Sequence, residues 1–339
     1  MSEKKKIALI IDTQGWAFHN IAIQLKKYLE EYYDIDIIPG DIFHGNMVKL
    51  FIYCKKYDLI HFLWRGYLSL INTEGMDYYI KSIGMSKEDF YKNYIYNKNI
   101  TTTVCDHLYL NEQEYWRTEE IFKYVKNYIT TSEKIFEIYS NLKEIKKPQQ
   151  IINDGVDLNL YKLKTEEKNY NKEDFIIGWV GNSEFTDSDK DSDLKGLNTI
   201  IIPAIEELKN EGYNLTLKTA DRKNGMIKQA DMPDYYNTLD IYICASKTEG
   251  TPLPLLESMA CGIPIISTDV GIARECFGNE QSKYILEQRS KECLKEKIKE
   301  LYNNREILKV LSQENITRIK NWSWEIIAQK YKSFFENNI

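Results

Sequence analysis

One stretch of the sequence decides the fold, and it reads Ser246-Lys247-Thr248-Glu249-Gly250-Thr251-Pro252-Leu253-Pro254-Leu255-Leu256-Glu257-Ser258-Met259-Ala260-Cys261-Gly262-Ile263-Pro264. The apolar run 241–245 before it predicts a β-strand, and the run 253–260 within it predicts a helix. In an open α/β sheet such a helix begins at the carboxyl edge of the strands. Its first N–H groups lack partners inside the helix, and the helix dipole favours negative charge there. The stretch therefore predicts an α/β fold with an anion site at the start of this helix.

Two carboxylates flank this turn, Glu249 in the loop and Glu257 in the helix. A carboxylate beside a bound anion is unfavourable unless it accepts hydrogen bonds, and a ligand rich in hydroxyl groups can donate them. Sugar and ribose hydroxyls are such groups. The backbone amides of Gly250, Thr251 and Leu253 are then the predicted donors to a diphosphate.

Both halves of the chain alternate apolar strands with helical stretches. In the first half the predicted strands are 7–11, 35–38, 59–63, 101–104 and 128–130, and the predicted helices include 18–32 and 112–126. In the second half the predicted strands are 176–180, 215–219, 241–245 and 264–268, and the predicted helices are 197–210, 233–237 and 253–260. Because strands that alternate with helices form parallel sheets with covered faces, each half is predicted to be a doubly wound α/β unit.

The length of the chain, 339 residues, favours two domains over a single core. The polar segment 143–172 is broken by Pro148 and by Asn153-Asp154-Gly155, as is typical of a domain boundary. We place the domains at 1–165 and 166–320. The remaining segment, 321–339, is predicted to be an amphipathic helix because its apolar residues recur at helical spacing.

Composition excludes several classes of function. Lys and Arg number 45 against 51 Asp and Glu, so the net charge of -6 argues against a general nucleic-acid binder. The six cysteines form no C-x-x-C pair, which favours a reducing cytoplasm. No stretch approaches the roughly 20 apolar residues that a membrane span needs. We expect a cytoplasmic protein whose contact with a membrane, if it has one, is peripheral and at the inner face.

The acidic segment Asp187 to Asp193 is the candidate metal-binding segment of the sequence. Its early spacing is that of a calcium loop, but Ser192 stands where such a loop needs its turn glycine, and no glutamate closes it in register. A solvated loop is the better interpretation, and no metal site is predicted.

The chain resembles the family-four retaining glycosyltransferases of the GT-B fold, whose signature is two glutamates eight positions apart in this strand, loop and helix setting. Glu249 and Glu257 have that spacing. Further matching segments are Asn153 to Asp157, Gly178 to Gly181, Lys195-Gly196, Asp240 to Ile243, Ala260 to Pro264, Ser267 to Gly271, Glu275 and Trp322 to Glu325. The matches are specific in the C-terminal half and weak in the N-terminal half.

The resemblance implies two Rossmann-like domains that face each other across a cleft, with the acceptor bound by the N-terminal domain and a nucleotide-sugar donor by the C-terminal domain. It also implies that the final helix crosses back to the N-terminal domain. The cosubstrate is expected to be a UDP-sugar rather than a GDP-sugar, with no metal or other cofactor. The expected acceptor is a glycan, a lipid-linked sugar or a protein.

Roles can be carried over residue by residue in the C-terminal half. The resemblance implies that Glu249 holds hydroxyls of the donor sugar, that Glu257 holds the ribose, and that Lys195 neutralises the leaving diphosphate. Gly181 and Asn182 are expected to line the donor site. Arginine is usual a few residues before the lysine in the family, but none stands between Gly181 and Lys195. Arg222, Lys223 or Lys190 could replace it.

The N-terminal half offers fewer residues. Gly15 follows the first strand, where the family has a glycine loop near the donor phosphates, and an ordinary turn is an equal alternative. Cys105 stands where the family often has histidine, so Asp106 and His107 become the candidates that approach the reacting sugar. His107 could instead hydrogen-bond in the interior.

Three further interpretations stay open. The aromatic segment 76–96 could form an acceptor wall or a helical core. A nucleotide-sugar epimerase on the same fold, or a sugar-nucleotide binding module without activity, would share much of the pattern. The paired glutamates favour transfer.

Overall fold

The computed structural model describes residues 3–164, 173–184, 193–225 and 227–339. It divides into two compact units. The N-terminal unit comprises Met1–Asp154 together with Trp324–Ile339, and the C-terminal unit comprises Gly155–Ser323.

The N-terminal unit contains a six-stranded parallel sheet. Its strands are β1 (Lys5–Ile11), β2 (Tyr33–Pro39), β3 (Leu59–Phe62), β4 (Asn99–Val104), β5 (Asn127–Thr130) and β6 (Gln150–Ile151), in the order β2-β1-β3-β4-β5-β6. Its helices are α1 (Ala17–Leu29), α2 (Met47–Tyr53), α3 (Glu74–Ser82), α4 (Lys87–Tyr91), α5 (Tyr115–Lys123) and α6 (Glu133–Ser140), with a π-helical turn at Lys92–Tyr96 and a 3-10 helix at Arg65–Leu70.

The C-terminal unit contains a four-stranded parallel sheet. Its strands are β7 (Phe175–Gly181), β8 (Leu215–Asp221), β9 (Ile241–Cys244) and β10 (Ile265–Ser267), in the order β10-β9-β7-β8. Its helices are α7 (Ile202–Asn210), α8 (Met232–Asn237), α9 (Leu253–Ala260), α10 (Ala273–Cys276), α11 (Lys291–Asn303) and α12 (Ile307–Arg318), and a π-helical turn at Leu197–Ile201 leads into α7.

The last helix, α13 (Trp324–Glu336), returns to the N-terminal unit and packs beside α1. Its buried side chains occur at helical spacing and join the core on one face of the N-terminal sheet. His61 of β3 lies fully buried under this helix, bonded to Thr101 and Thr103 at 2.9 and 3.0 Å and edge-on to Phe335. Burial lowers the pKa of His61 to about 3.

Nine strands lie where the apolar runs predicted them, within about two residues at each end, whereas the short strand β6 was not predicted. The change of unit after Asp154 comes earlier in the chain than our division after residue 165. The reason is local: the Val156 N–H donates to the Trp322 carbonyl at 2.9 Å, and Tyr161 packs into the core of the C-terminal unit.

Candidate functional site

The signature stretch forms the predicted strand, loop and helix. Strand β9 ends at Cys244 and helix α9 begins at Leu253. The N-cap residue of α9 is Pro252, whose side chain makes no capping hydrogen bond. Gly271 packs against this loop so closely that a Cβ atom there would lie 2.2 Å from the Gly250 carbonyl oxygen. Gly271 also has a positive φ of 49°, so glycine is required on both grounds. The turn before α9 is therefore held in place by backbone packing.

Lys195 and Glu249 meet at this turn. The Lys195 Nζ lies 2.5 Å from Glu249 Oε1, and the two side chains are 27% and 16% exposed. A lysine ammonium carries three N–H donors, so pairing with one carboxylate oxygen leaves donors for a ligand. Two residues that the resemblance assigned separately, to the diphosphate and to the sugar, thus form one contact.

Two sets of hydrogen bonds hold the loop that carries Lys195. Asp193 accepts hydrogen bonds from the N–H groups of Gly196, Asn198 and Thr199 at 2.7 to 2.9 Å, as a helix cap does. The Lys247 N–H donates to the Leu194 carbonyl at 2.8 Å. Because Asp193 already occupies this helix start, the ammonium of Lys195 is the group the loop presents.

The same loop needs a glycine after the lysine. Gly196 has a φ of 71°, and a Cβ atom there would lie 2.4 Å from the Ala245 carbonyl oxygen at the end of β9. The pair Lys195-Gly196 therefore has a steric reason: the glycine lets the lysine loop approach the signature loop. The rest of the acidic segment, residues 187–192 with Lys190, lies outside the described residues.

Glu257 lies within α9 and accepts a hydrogen bond from the Tyr236 hydroxyl of α8 at 2.6 Å. Burial raises the pKa of Glu257, and the hydroxyls of Tyr236 and Tyr161 oppose that shift. The Tyr161 hydroxyl is buried and makes no hydrogen bond of ordinary length to the described residues. Burial is the main cause that raises the pKa of Tyr242, and the charges of Glu249 and Glu257 add to it. Both carboxylates therefore lie close enough to Tyr242 to influence its ionisation.

Sequence reasoning missed the two tyrosines around Glu257. Tyr236 was covered only by a predicted helix, and Tyr161 only by a predicted boundary. Their aromatic rings suggest that both residues pack in a core. Nothing in the sequence spacing indicates that the Tyr236 hydroxyl donates to a carboxylate 21 residues further along the chain.

The carboxyl ends of β7 and β8 hold Gly181, Asn182 and Arg222. A Cβ atom on Gly181 would lie 2.8 Å from the Trp179 ring, so this glycine makes room for a neighbouring side chain. The Asn182 side chain accepts from the Glu184 N–H at 3.1 Å. Asp221, which is 5% exposed, accepts from the Ser183 N–H at 3.1 Å and ties the two loops together. Arg222 is exposed at the start of a 3-10 turn, and its neighbour Lys223 pairs with Glu184 at 3.4 Å.

In the N-terminal unit, Asp106 is bound to a buried arginine. The Arg65 Nη2 donates to Asp106 Oδ1 at 2.5 Å and to the Tyr139 hydroxyl at 3.2 Å, and the Leu108 N–H donates to the same Asp106 oxygen. Arg65 is 1% exposed, and its Nε has no hydrogen-bond partner among the described residues. Burial tends to raise the pKa of Asp106, but Arg65 outweighs it and the pKa is lowered.

The two neighbours of Asp106 have shifted pKa values for a different reason. Burial raises the pKa of the Cys105 thiol, with the Asp106 charge adding to it. Burial lowers the pKa of the half-buried His107, against the pull of Asp106. The Cys105 thiol therefore resists ionisation and the His107 imidazole resists protonation. Both side chains are neutral neighbours of the Asp106 carboxylate.

Gly15 has a φ of 80°, and its N–H donates to His19 Nδ1 at 3.1 Å. A Cβ atom there would meet nothing within 4 Å, so conformation rather than crowding explains this glycine.

In the aromatic segment 76–96, some rings are buried in a core and others are exposed, so each of the two interpretations fits part of the segment. Phe90 and Tyr91 are buried in the core, whereas Tyr78 and Tyr96 are exposed.

In the part of the chain that the structure describes, no group of three or more His, Cys, Asp or Glu side chains could hold a metal ion. No helix in that part is long and apolar enough to cross a membrane.

Comparison with known proteins agrees with this architecture. Residues 202–318 match the family described as "Glycosyl transferases group 1". The sucrose-phosphate synthase of Thermosynechococcus elongatus superposes with a TM-score of 0.72 at 16% identity, over 98% of this chain and 99% of that one. Anabaena Alr3699/HepE, solved in complex with UDP and glucose, gives a TM-score of 0.69 at 13% identity, over 98% and 99%. These likenesses show the fold, which is GT-B, as predicted.

Curated relatives are similar over shorter stretches. The capsular polysaccharide biosynthesis glycosyltransferase CapM of Staphylococcus aureus is 25% identical over 54% of this chain and 54% of its own length. The lipopolysaccharide core biosynthesis mannosyltransferase LpsB of Rhizobium meliloti is 28% identical over 35% and 34%. The chain thus spans about half the length, or less, of these relatives. The match of residues 202–318 to the group 1 glycosyltransferases, together with these relatives, confirms the resemblance drawn from the sequence.

Proposed function

We propose that this chain is a retaining glycosyltransferase that moves a sugar from a nucleotide-diphosphate sugar, with UDP as the preferred nucleotide, to an acceptor hydroxyl without a metal. The observation that carries the proposal is the contact of Lys195 with Glu249 at the start of α9. It brings a cation and a carboxylate to a helix N-terminus, which together suit a diphosphate and the hydroxyls beside it.

In this proposal each group of the turn has one task. Glu249 accepts hydrogen bonds from the donor sugar, and Glu257, held by Tyr236, accepts them from the ribose. Lys195 and the N–H groups of Gly250, Thr251 and Leu253 stabilise the charge that develops on the leaving diphosphate. Gly181, Asn182 and Arg222 line the donor site from β7 and β8.

The stereochemical step needs no strong protein base. The acceptor hydroxyl attacks the anomeric carbon from the face of the leaving group, and its proton passes to the departing phosphate oxygen. The C–O bond to the phosphate breaks as the new glycosidic bond forms, so the donor's anomeric configuration is kept. Asp106 and His107 assist by binding the sugar or the acceptor, and Gly15 lies beside the phosphates.

The acceptor in this proposal is a glycan, a lipid-linked sugar or a protein, and the reaction takes place in the cytoplasm, with peripheral contact at the inner membrane face. Relatives named for capsular polysaccharide and lipopolysaccharide core biosynthesis support a glycan or lipid-linked acceptor.

A donor panel tests the proposal. The protein is incubated with UDP- and GDP-sugars and candidate acceptors, and products are identified by mass spectrometry and NMR. We expect release of the nucleoside diphosphate and a product that keeps the donor's anomeric configuration. An inverted product would overturn the retaining step. Conversion of the donor into its epimer would favour the epimerase, and binding without turnover would favour a binding module.

A further inference from the structure

A second pocket lies in the N-terminal unit, at the amino ends of β4 and β5. Its volume is about 460 Å³, and its lining includes the side chains of Lys98, Lys123, Lys126 and Lys146 together with Tyr96 and Tyr124. No aspartate or glutamate of the described residues lines it. Asp106 and His107 follow the carboxyl end of β4, so this pocket opens at the other end of the strand from the candidate site.

Three of the four lysines in this pocket form no direct ion pair within the part of the chain that the structure describes, although Lys98 helps to lower the pKa of Asp58. The ammonium groups of Lys98, Lys126 and Lys146 donate only to carbonyl and amide oxygens, at 2.5 to 3.3 Å. No carboxylate of the described residues forms an ion pair with any of these three. Lys123 alone is paired, with Glu120 at 2.8 Å. The contrast with the whole chain, in which acidic residues outnumber basic ones, shows that the charge is local.

Neutral oxygens orient an ammonium group but do not cancel its charge. Three such groups lining one concave pocket repel one another, and an anion with several acceptor oxygens would relieve the repulsion and fill the remaining N–H donors. The exposed Tyr96 also lines the pocket, and its ring stacks on Tyr124 with the centroids 6.5 Å apart. The volume is in the range of small-molecule sites and exceeds what a lone inorganic ion fills.

We propose that this lysine pocket binds a phosphate-bearing group. The shared chemistry is a phosphate or diphosphate ester, which a lipid head group or a soluble phosphorylated molecule could supply. The proposal is independent of the donor site, because it rests on a different edge of a different unit.

Lysine footprinting tests the proposal directly. The protein is acetylated briefly with and without inorganic pyrophosphate, at equal ionic strength set with sodium chloride, and modification is read at each lysine by mass spectrometry. We expect modification of Lys98, Lys126 and Lys146 to fall several-fold at saturating pyrophosphate. The exposed Lys209 of α7 is the control and should not change. Because the readout is local, pyrophosphate bound near Lys195 does not confuse it.

Vesicles distinguish the two sources of phosphate. Phosphatidylglycerol vesicles should protect the same three lysines if the natural ligand is a lipid head group, and phosphatidylcholine vesicles should not. The double variant Lys126→Gln/Lys146→Gln should then bind phosphatidylglycerol vesicles about 30-fold more weakly in a sedimentation assay, since each lysine near an anionic surface contributes about 1 kcal/mol. The matched double variant Lys209→Gln/Lys309→Gln removes the same charge and should sediment like the wild type.

Protection by pyrophosphate alone would support the site and assign it to a soluble ligand. Failure of both probes to protect these lysines, or equal protection of Lys209, would overturn the proposal.

Discussion

Each unit has a cation and carboxylate pair in loops that follow its strands, Arg65 with Asp106 in the N-terminal unit and Lys195 with Glu249 in the C-terminal unit, and the two cations differ in burial. Arg65 is 1% exposed and Asp106 29%, whereas Lys195 and Glu249 are 27% and 16% exposed, so the difference lies in the cations. A buried charge that loses its partner is costly, and a partly exposed pair contributes little to stability. We therefore expect Arg65 to stabilise the N-terminal unit, beside the ligand contact proposed for Asp106, whereas Lys195 and Glu249 form the pair for which we propose direct contact with the donor.

The first prediction concerns the turnover of a Lys195 variant. Lys195→Met should lower the turnover of a nucleotide-sugar about 100-fold to 1,000-fold, because it removes one fixed group that stabilises the leaving diphosphate. The melting temperature should change by no more than a surface substitution does. Steady-state kinetics beside a thermal melt measures both, with Lys209→Met as the control. Full turnover in Lys195→Met would break the assignment.

The next effect concerns the buried pair. Arg65→Met should destabilise the N-terminal unit by about 3 kcal/mol, since it leaves Asp106 without its cation and Tyr139 without a donor. Hydrogen exchange at the amides of β4 reports this unit separately from the other. Arg274→Met removes an exposed pair with Asp269 and should cost less than about 1 kcal/mol. Equal costs for the two variants would remove the distinction by burial.

His61 provides a pH test of the same unit. Its folded pKa of about 3 lies below the unfolded value of about 6.5, so the neutral ring is favoured in the folded state. Its contribution to stability is therefore full above pH 6.5 and is lost as the pH falls toward 3. The free energy of unfolding should drop by about 1.4 kcal/mol between pH 7.5 and 5.5 on account of this group. In His61→Gln that part of the slope should vanish. An unchanged slope would contradict the burial of a neutral ring.

The smallest effect concerns Tyr236. Removing its hydroxyl in Tyr236→Phe takes a hydrogen bond from Glu257, so the pKa of Glu257 should rise further and less of it should be ionised at pH 6. We expect UDP affinity to fall about fivefold at pH 6, equivalent to about 1 kcal/mol, and less at pH 8. Titration calorimetry at the two pH values measures the difference. Tyr235→Phe is the neighbouring control. A loss that does not vary with pH would indicate a packing role only.

Strand positions could be predicted from the sequence because parallel strands buried on both faces are short apolar runs. The Lys195 and Glu249 motif could be found by resemblance, but not their contact. It depends on the path of two loops, and the steric reason for it, Gly196 against Ala245, appears only in three dimensions.

Other residues had no readable signal. Arg65 lies in an apolar stretch and could have been taken for a surface residue, because burial of an arginine depends on a partner that comes 41 residues later. Tyr161 belongs to the C-terminal unit because the Val156 N–H, a few residues earlier, is bonded to the Trp322 carbonyl. This contact joins distant segments of the chain, so it could not be predicted from the composition of 143–172.

Calorimetric titration of UDP in EDTA measures whether the turn before α9 binds a nucleoside diphosphate without a metal, as we propose. We expect saturable binding to the wild type, about tenfold weaker binding to Glu257→Gln, and unchanged binding to Glu292→Gln. Glu292 is an exposed glutamate of α11 in the same unit. Absence of binding by both UDP and GDP in EDTA, or binding that appears only when manganese is added, would contradict it.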